Sequence, residues 1–220
     1  MNIIQTWKTK EVPKQYESFV NNVKVLHHDA NYMFFDDRDI VDFIMRDMPE
    51  YYETFVSLTS KIQQIDFFRY LAIYYYGGLY LDLDVFMERP FVFSRDKSSC
   101  YFPVEQKNVS DTLLIEQGFS TLIGNYAFYA PKGHPFIKKI IDNIVRQRID
   151  LKDIEAAQKT CTDNPLDVFV YYRTGPILVT QSYLDADEKN DIVLIEPTLF
   201  IENRFGDFGI HCCFGTWRNP

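Results

Sequence analysis

The chain has 220 residues, of which 46% are hydrophobic and 16% aromatic, with 9 glycines and 10 prolines; this excludes a disordered or fibrous protein and allows one sizeable core. Its formal net charge of -8 excludes a general nucleic-acid partner, because binding a phosphate backbone needs a basic surface that displaces counterions. Charged and polar residues interrupt every apolar run before it could span a bilayer, and the opening residues do not read as a signal peptide, so a soluble, cytoplasmic protein is expected.

An apolar strand is expected at Asn2–Thr6, a second over residues 22–27 and a third over 33–35, ending in the acidic turn Asp36-Asp37-Arg38-Asp39. Asp39 is placed to cap the following helix, which carries Ile40, Phe43 and Ile44 on its buried stripe and ends at Pro49. Lys61–Tyr76 is apolar nearly all round, with Asp66 and Arg69 its only charges after Lys61, and reads as a buried helix stopped by Gly77 and Gly78. A strand over 79–85 would turn Leu79, Leu81, Leu83 and Val85 to one face and Tyr80, Asp82 and Asp84 to the other. Residues 121–129 read as a strand, and Pro135 as the first turn of a helix with Phe136, Ile140, Ile144 and Val145 inward. The stretch 147–164 is polar, suited to an exposed helix and a loop. Thr174-Gly175-Pro176 opens a further helix, and Ile192–Ile195 is a late strand. Strands alternating with helices indicate the α/β class, and the lack of repeats or linkers indicates one domain over 1–220.

Asp82 and Asp84 are the strongest chemical signal. Two carboxylates at one spot repel and raise each other's pKa unless a cation lies between them, and paired oxygen ligands suit Mg²⁺ or Mn²⁺. Asp66 and Arg69, one helical turn apart, are either a modest i,i+3 ion pair or charges kept on an apolar helix for a purpose. His211 stands near the C-terminus before a Gly-Thr-Trp that suits a polar loop. Trp7 is either core or a platform for a base, whereas His27, His28 and His134 read as ordinary. Cys100, Cys161, Cys212 and Cys213 form no C-x-x-C pair and read as reduced thiols, the last two in a late strand. No Walker motif, G-x-G-x-x-G, G-x-S-x-G or H-E-x-x-H occurs.

Five segments, in order, are IIQTWKTK at 3–10, DFFRYLAIYYYGGLYLDLDV at 66–85, GNYAFYAPKGHPF at 124–136, TGP at 174–176 and HCCFGTW at 211–217. Together they resemble the DXD-motif sugar transferases of glycosyltransferase family 32. The resemblance implies a GT-A fold with a single Rossmann-like mixed sheet flanked by helices, a UDP- or GDP-hexose donor, Mn²⁺ or Mg²⁺, and retention of anomeric configuration. It implies a saccharide, glycolipid or glycoprotein acceptor, with peripheral membrane contact in view. By the same resemblance Asp84 and His211 would bind the metal, with Asp82 bridging the donor and the metal's surroundings, and Asp66 and Arg69 would hold the sugar's hydroxyls. Trp7 would stack near the base, Thr6, Asn125 and Gly175 would line the donor pocket, and Trp217 would lie on a loop closing over the diphosphate. The rival readings are a haloacid-dehalogenase-like phosphohydrolase with Asp82 as nucleophile and Asp84 as general acid, and a non-catalytic nucleotide-sugar binding module. The first lacks the Thr or Val expected where Phe86 stands, and His211 stands where its late acid should be.

Overall fold

The apolar opening of the chain forms β1 (Asn2–Thr6) in the computed structural model, which describes residues 1–215. Tyr16, Val20 and Val23 then close one face of α1 (Lys14–Leu26), so the strand expected over 22–27 is instead the end of a helix. Val23 and Val25 alternate as strand residues would, but Val25 is 73% exposed, and the apolar face that begins at Tyr16 decides the conformation. β2 (Asn31–Phe35) leads into α2 (Asp37–Asp47), whose cap is Asp36 and not Asp39. Asp36 Oδ1 accepts from the Asp39 N–H at 2.8 Å and Asp39 Oδ2 accepts from the Asp36 N–H at 3.0 Å, a reciprocal capping box.

After α3 (Tyr52–Ser57), Ser60 caps α4 (Lys61–Tyr76), which runs over the expected residues. Its end is set by two glycines. Gly77 has φ +66°, and a side chain on Gly78 (φ +128°) would meet the Asn2 carbonyl oxygen at 2.4 Å, so only glycine lets α4 turn directly into β3 (Gly78–Leu81) beside β1. The strand does not continue to Val85. The Asp82 N–H donates to the Tyr126 carbonyl at 2.7 Å and the Val85 N–H to the Asp82 carbonyl at 3.1 Å, closing a turn before β4 (Val85–Met87). Leu83 consequently leaves the faces expected for it and packs with Tyr16 and Val20.

The remaining elements are β5 (Cys100–Lys107), α5 (Thr112–Glu116), β6 (Thr121–Ile123), β7 (Ala127–Ala130), α6 (Pro135–Val145), α7 (Leu151–Thr160), α8 (Pro165–Arg173), α9 (Pro176–Leu184), β8 (Ile192–Ile195), β9 (Arg204–Phe205) and β10 (Gly209–His211). The strand expected over 121–129 is broken at 124–126 into β6 and β7. Val145 is 41% exposed because α6 ends there. Cys212 and Cys213 follow β10 and are not within it, and all four cysteines are free.

The main sheet runs β2-β1-β3-β7-β5-β6, with β8 paired to β5, and β4-β10-β9 form a small second sheet. β1 is parallel to β2 and β3, while β7 is antiparallel to β3 and β5. The C-terminal ends of β1, β3 and β5 therefore share one edge. On one face, Phe67, Phe68, Tyr70 and Leu71 of α4 join Tyr80, Phe102, Phe128 and the apolar sides of α6 and α9 in the larger core. On the other, Leu79, Leu81, Tyr101 and Tyr129 pack with Phe91 and Phe205. Each such fully buried side chain contributes about 1.5–3 kcal/mol. No helix among the described residues is long and apolar enough to cross a membrane.

His27 ties the end of α1 to this second face. Its Nδ1 lies 3.0 Å from the Val23 carbonyl oxygen, and its Nε2 accepts from the Phe91 N–H at 3.0 Å, so the ring is neutral with its proton on Nδ1. Burial holds its pKa below the ordinary 6.5, against the opposing pull of the Val23 carbonyl. Because the folded pKa is depressed, the unfolded chain binds the proton more readily. The contribution of His27 to stability is thus present above about 6.5 and lost as pH falls through the folded value. Thermal unfolding followed from pH 7 to 5 should show Tm falling more steeply in the wild type than in His27→Gln, and parallel curves would contradict this.

Candidate active site

The edge shared by β1, β3 and β5 is where open α/β sheets bind ligands, and here it forms a pocket of about 310 Å³. Thr6 and Trp7 reach it from the end of β1, Asp82 from the end of β3, Asn125 from the break before β7 and Glu105 from β5. Asp66 and Arg69 of α4, Gly175 at the start of α9, Asp84 and His211 complete the set. Every residue expected at the site thus lies in this one pocket except Trp217, which is outside the described residues. Thr6 contributes backbone and methyl surface, since its hydroxyl donates to the Phe35 carbonyl at 2.8 Å.

Asp82, Asp84 and His211 converge although the first two are not on one strand. Their ligand atoms all lie within 4.8 Å of one another. The turn over 82–85 aims both carboxylates inward, and β10, paired to β4 with His211 opposite Val85, brings the imidazole to them. His211 Nε2 is 3.3 Å from Asp84 Oδ1, while Asp84 Oδ2 accepts from the Phe214 N–H at 2.9 Å. The His211 ring stacks on Tyr126 at 4.3 Å. Burial opposes both charges, yet each favours the other. The imidazole's hydrogen bond holds Asp84 below the usual carboxylate range, and Asp84 raises His211 to about 10.

Behind this trio, Arg69 is 3% exposed and anchors a buried network. Its Nη2 lies 3.1 Å from Asp66 Oδ1 and 3.2 Å from Asp82 Oδ1, and Nη1 donates to the Asn125 carbonyl at 2.8 Å. Tyr80 donates to Asp82 Oδ1 at 2.7 Å and offers its ring face to the guanidinium at 4.7 Å. Burial works against the charge on Arg69, but Asp82 and Asp66 hold the guanidinium protonated. Asp66 also accepts from Asn125 Nδ2 at 3.1 Å and Thr174 Oγ1 at 2.8 Å; even so, burial pushes its pKa up to about 6. The i,i+3 pair and the site residue are therefore the same two side chains.

Four participants escaped the sequence reading. Tyr80 is expected on the face of the two acids, and Tyr126 and Thr174 stand in the resembling segments, but the sequence assigns none of the three a role. Glu105 sits in a stretch with no motif, on a strand that local pattern does not announce. It is half-buried, and its carboxyl is pushed up to about 7 by burial and by Asp82, against the opposing charge of His211.

Two carboxylates and an imidazole, clustered at the floor of a pocket, are a donor set that fits Mn²⁺ or Mg²⁺. Comparison with known proteins agrees with this chemistry. Residues 13–109 match the model of a glycosyltransferase sugar-binding region containing a DXD motif, and Asp82-Leu83-Asp84 is that motif in this chain. Over that segment the chain is similar to the DXD-motif glycosyltransferases.

The chain is 26% identical over 215 residues to inositol phosphoceramide mannosyltransferase 3 of Schizosaccharomyces pombe, covering 95% of this chain and 53% of the relative. It is 28% identical over 220 residues to inositol phosphoceramide mannosyltransferase 1 of the same organism, covering 98% and 61%. The chain thus spans between half and two-thirds of the length of these curated relatives. Among solved structures it superposes on PaToxG glycosyltransferase with a TM-score of 0.54 and 18% identity, covering 84% of this chain and 68% of that one. The mixed sheet flanked by helices is the GT-A fold.

Proposed function

We propose that the chain moves a hexose from a nucleoside-diphosphate sugar to a hydroxyl of a saccharide, glycolipid or glycoprotein, with retention of anomeric configuration. The convergence of Asp82, Asp84 and His211 in one pocket beside Trp7 carries this reading. Mannose is the favoured hexose and a glycolipid the favoured acceptor, on the names of the relatives. Asp84 and His211 would hold Mn²⁺ or Mg²⁺ directly with Asp82 beside them, and the bound cation neutralises negative charge on the leaving diphosphate.

Trp7 would stack on the nucleobase, and Asn125 would line the sugar pocket. Arg69 sets the direction of Asp82 and of the Asn125 backbone, and Asp66 with Thr174 fixes the Asn125 amide. Such preorganisation costs nothing at the moment of reaction. The bond from anomeric carbon to phosphate oxygen breaks with its electron pair on the diphosphate. In front-face attack the incoming hydroxyl oxygen bonds to that carbon, and its proton passes to the departing phosphate oxygen. Asp82 is poorly placed as a phosphohydrolase nucleophile, because Arg69 and Tyr80 occupy its carboxylate. Asp207, which with Gly206 is the nearest match to the late Gly-Asp of that rival, is engaged by Thr198 and Arg89 and does not line the pocket.

A panel of UDP- and GDP-sugars incubated with Mn²⁺ and no acceptor should show slow hydrolysis of one donor, GDP-mannose being the first expectation, and EDTA should abolish it. Phosphate release from simple phosphomonoesters, with no sugar nucleotide consumed, would sink the proposal.

A further inference from the structure

Five carboxylates line the pocket: Asp37, Asp66, Asp82, Asp84 and Glu105. Four are engaged by protein groups, Asp37 with Lys61, Asp66 and Asp82 with Arg69, and Asp84 with His211. The Glu105 carbonyl accepts from the Asn203 N–H at 3.2 Å, but its carboxylate has no hydrogen-bond or ion-pair partner among the described residues. It is also the residue at which the pairing of β5 with β6 slips, Val104 lying opposite Ile123 and Gln106 opposite Leu122. A bulge of this kind re-aims a side chain out of the regular alternation of a strand. Its neighbour is suited to the purpose. A side chain on Gly124 would meet Glu105 Oε2 at 2.9 Å, so glycine there leaves room for the carboxylate against the backbone.

The order along the sheet edge places Glu105. From β1 to β3, the break before β7, and β5, the pocket presents Trp7, then Asp82, then Asn125, then Glu105. A nucleotide sugar laid with its base at Trp7 and its diphosphate at the Asp82, Asp84 and His211 trio has its sugar toward Asn125 and Glu105. Asp66, the other carboxylate near that end, has its oxygens taken by Arg69, Asn125 and Thr174. A carboxylate with no protein donor keeps its acceptor capacity for a ligand hydroxyl.

We propose that Glu105 is a catalytic residue that touches the transferred sugar, accepting one of its hydroxyls and opposing the positive charge that develops on the ring as the anomeric bond breaks. The inference rests on the nucleotide-sugar reading of the site and adds a residue to it. No covalent bond to Glu105 is involved; the electron pair still leaves on the diphosphate.

The test is donor hydrolysis by wild type, Glu105→Gln and Glu105→Asp across the UDP- and GDP-sugar panel with Mn²⁺, together with calorimetric affinity for UDP and GDP with Mn²⁺, probes that lack the sugar. Glu105→Gln keeps the shape and a hydrogen-bond acceptor but loses the charge. Its kcat should fall at least about tenfold while nucleotide affinity stays within about twofold, and Glu105→Asp should recover part of the loss. Unchanged kcat in Glu105→Gln overturns the proposal, as does weaker nucleotide binding that accounts for the whole effect. A wild type that turns over no sugar nucleotide refutes the underlying function and this inference with it, an outcome distinct from an active wild type with an equally active Glu105→Gln.

Discussion

Asp84→Ala should lower metal-dependent donor turnover at least about a hundredfold and leave the protein folded. The substitution removes one of three clustered ligand groups and the counter-charge that Asp84 supplies to His211 at 3.3 Å. It also removes the acceptor of the Phe214 N–H, so the segment after β10 loses one tether. The turn itself survives, since it is closed by backbone bonds from Asp82 to Tyr126 and from Val85 to Asp82, and the Cys212 N–H still finds the residue 84 carbonyl. Asp84→Asn separates the two effects, because the amide oxygen can still accept from Phe214 but carries no charge. Turnover in Mn²⁺, Mn²⁺ titration by calorimetry and circular dichroism together check the prediction. An alanine variant that turns over donor near the wild-type rate would remove Asp84 from the chemistry.

Arg69→Met should carry the largest stability loss, about 3–5 kcal/mol. The guanidinium stands between Asp66 and Asp82, and its removal leaves those two carboxylates facing each other in the interior. The Asn125 carbonyl loses its donor at the same time. Asp66 is 3% exposed, so water cannot take over the role of Arg69 without opening the end of α4. For a chain of this length a loss of that size lowers Tm by roughly 10 °C. The double variant Arg69→Met with Asp66→Asn should regain a large part of it, because the neutral amide no longer needs a cation. Thermal unfolding of the two single variants and the double variant measures this coupling; additive losses would show that the buried pair is not what Arg69 supports.

Much of this site is legible along the chain because it is locally encoded. Lys61–Tyr76 is a helix apolar on every side, Gly77 and Gly78 are the residues that a positive φ and a close backbone require, and Asp82 and Asp84 stand two apart directly after. Other features depend on partners far away in sequence. The strand pattern over 79–85 is sound as a local pattern, but Asp82 is drawn into a turn by the Tyr126 carbonyl and by Arg69. Residues 22–27 alternate like a strand, yet they continue a helix whose apolar face starts at Tyr16. Glu105 is hidden in a stretch that carries no motif, since nothing local marks the bulge that turns it into the pocket.

The α/β class, the buried helix and its glycine stop, the paired acids and, through resemblance, the partnership of those acids with His211 are readable along the chain. Short-range preferences suffice for the first three: helical and strand periods, backbone freedom at glycine, and repulsion between nearby carboxylates. That the acids sit in a turn and not along a strand follows from contacts made in the folded chain. The fold alone shows that Arg69 is shared between Asp66 and Asp82, and that the Glu105 carboxylate has no partner among the described residues. Hydrogen-bond satisfaction and burial are properties of assembled neighbours, and 127 positions separate Asp84 from His211, so that spacing in sequence carries no information about their separation in space.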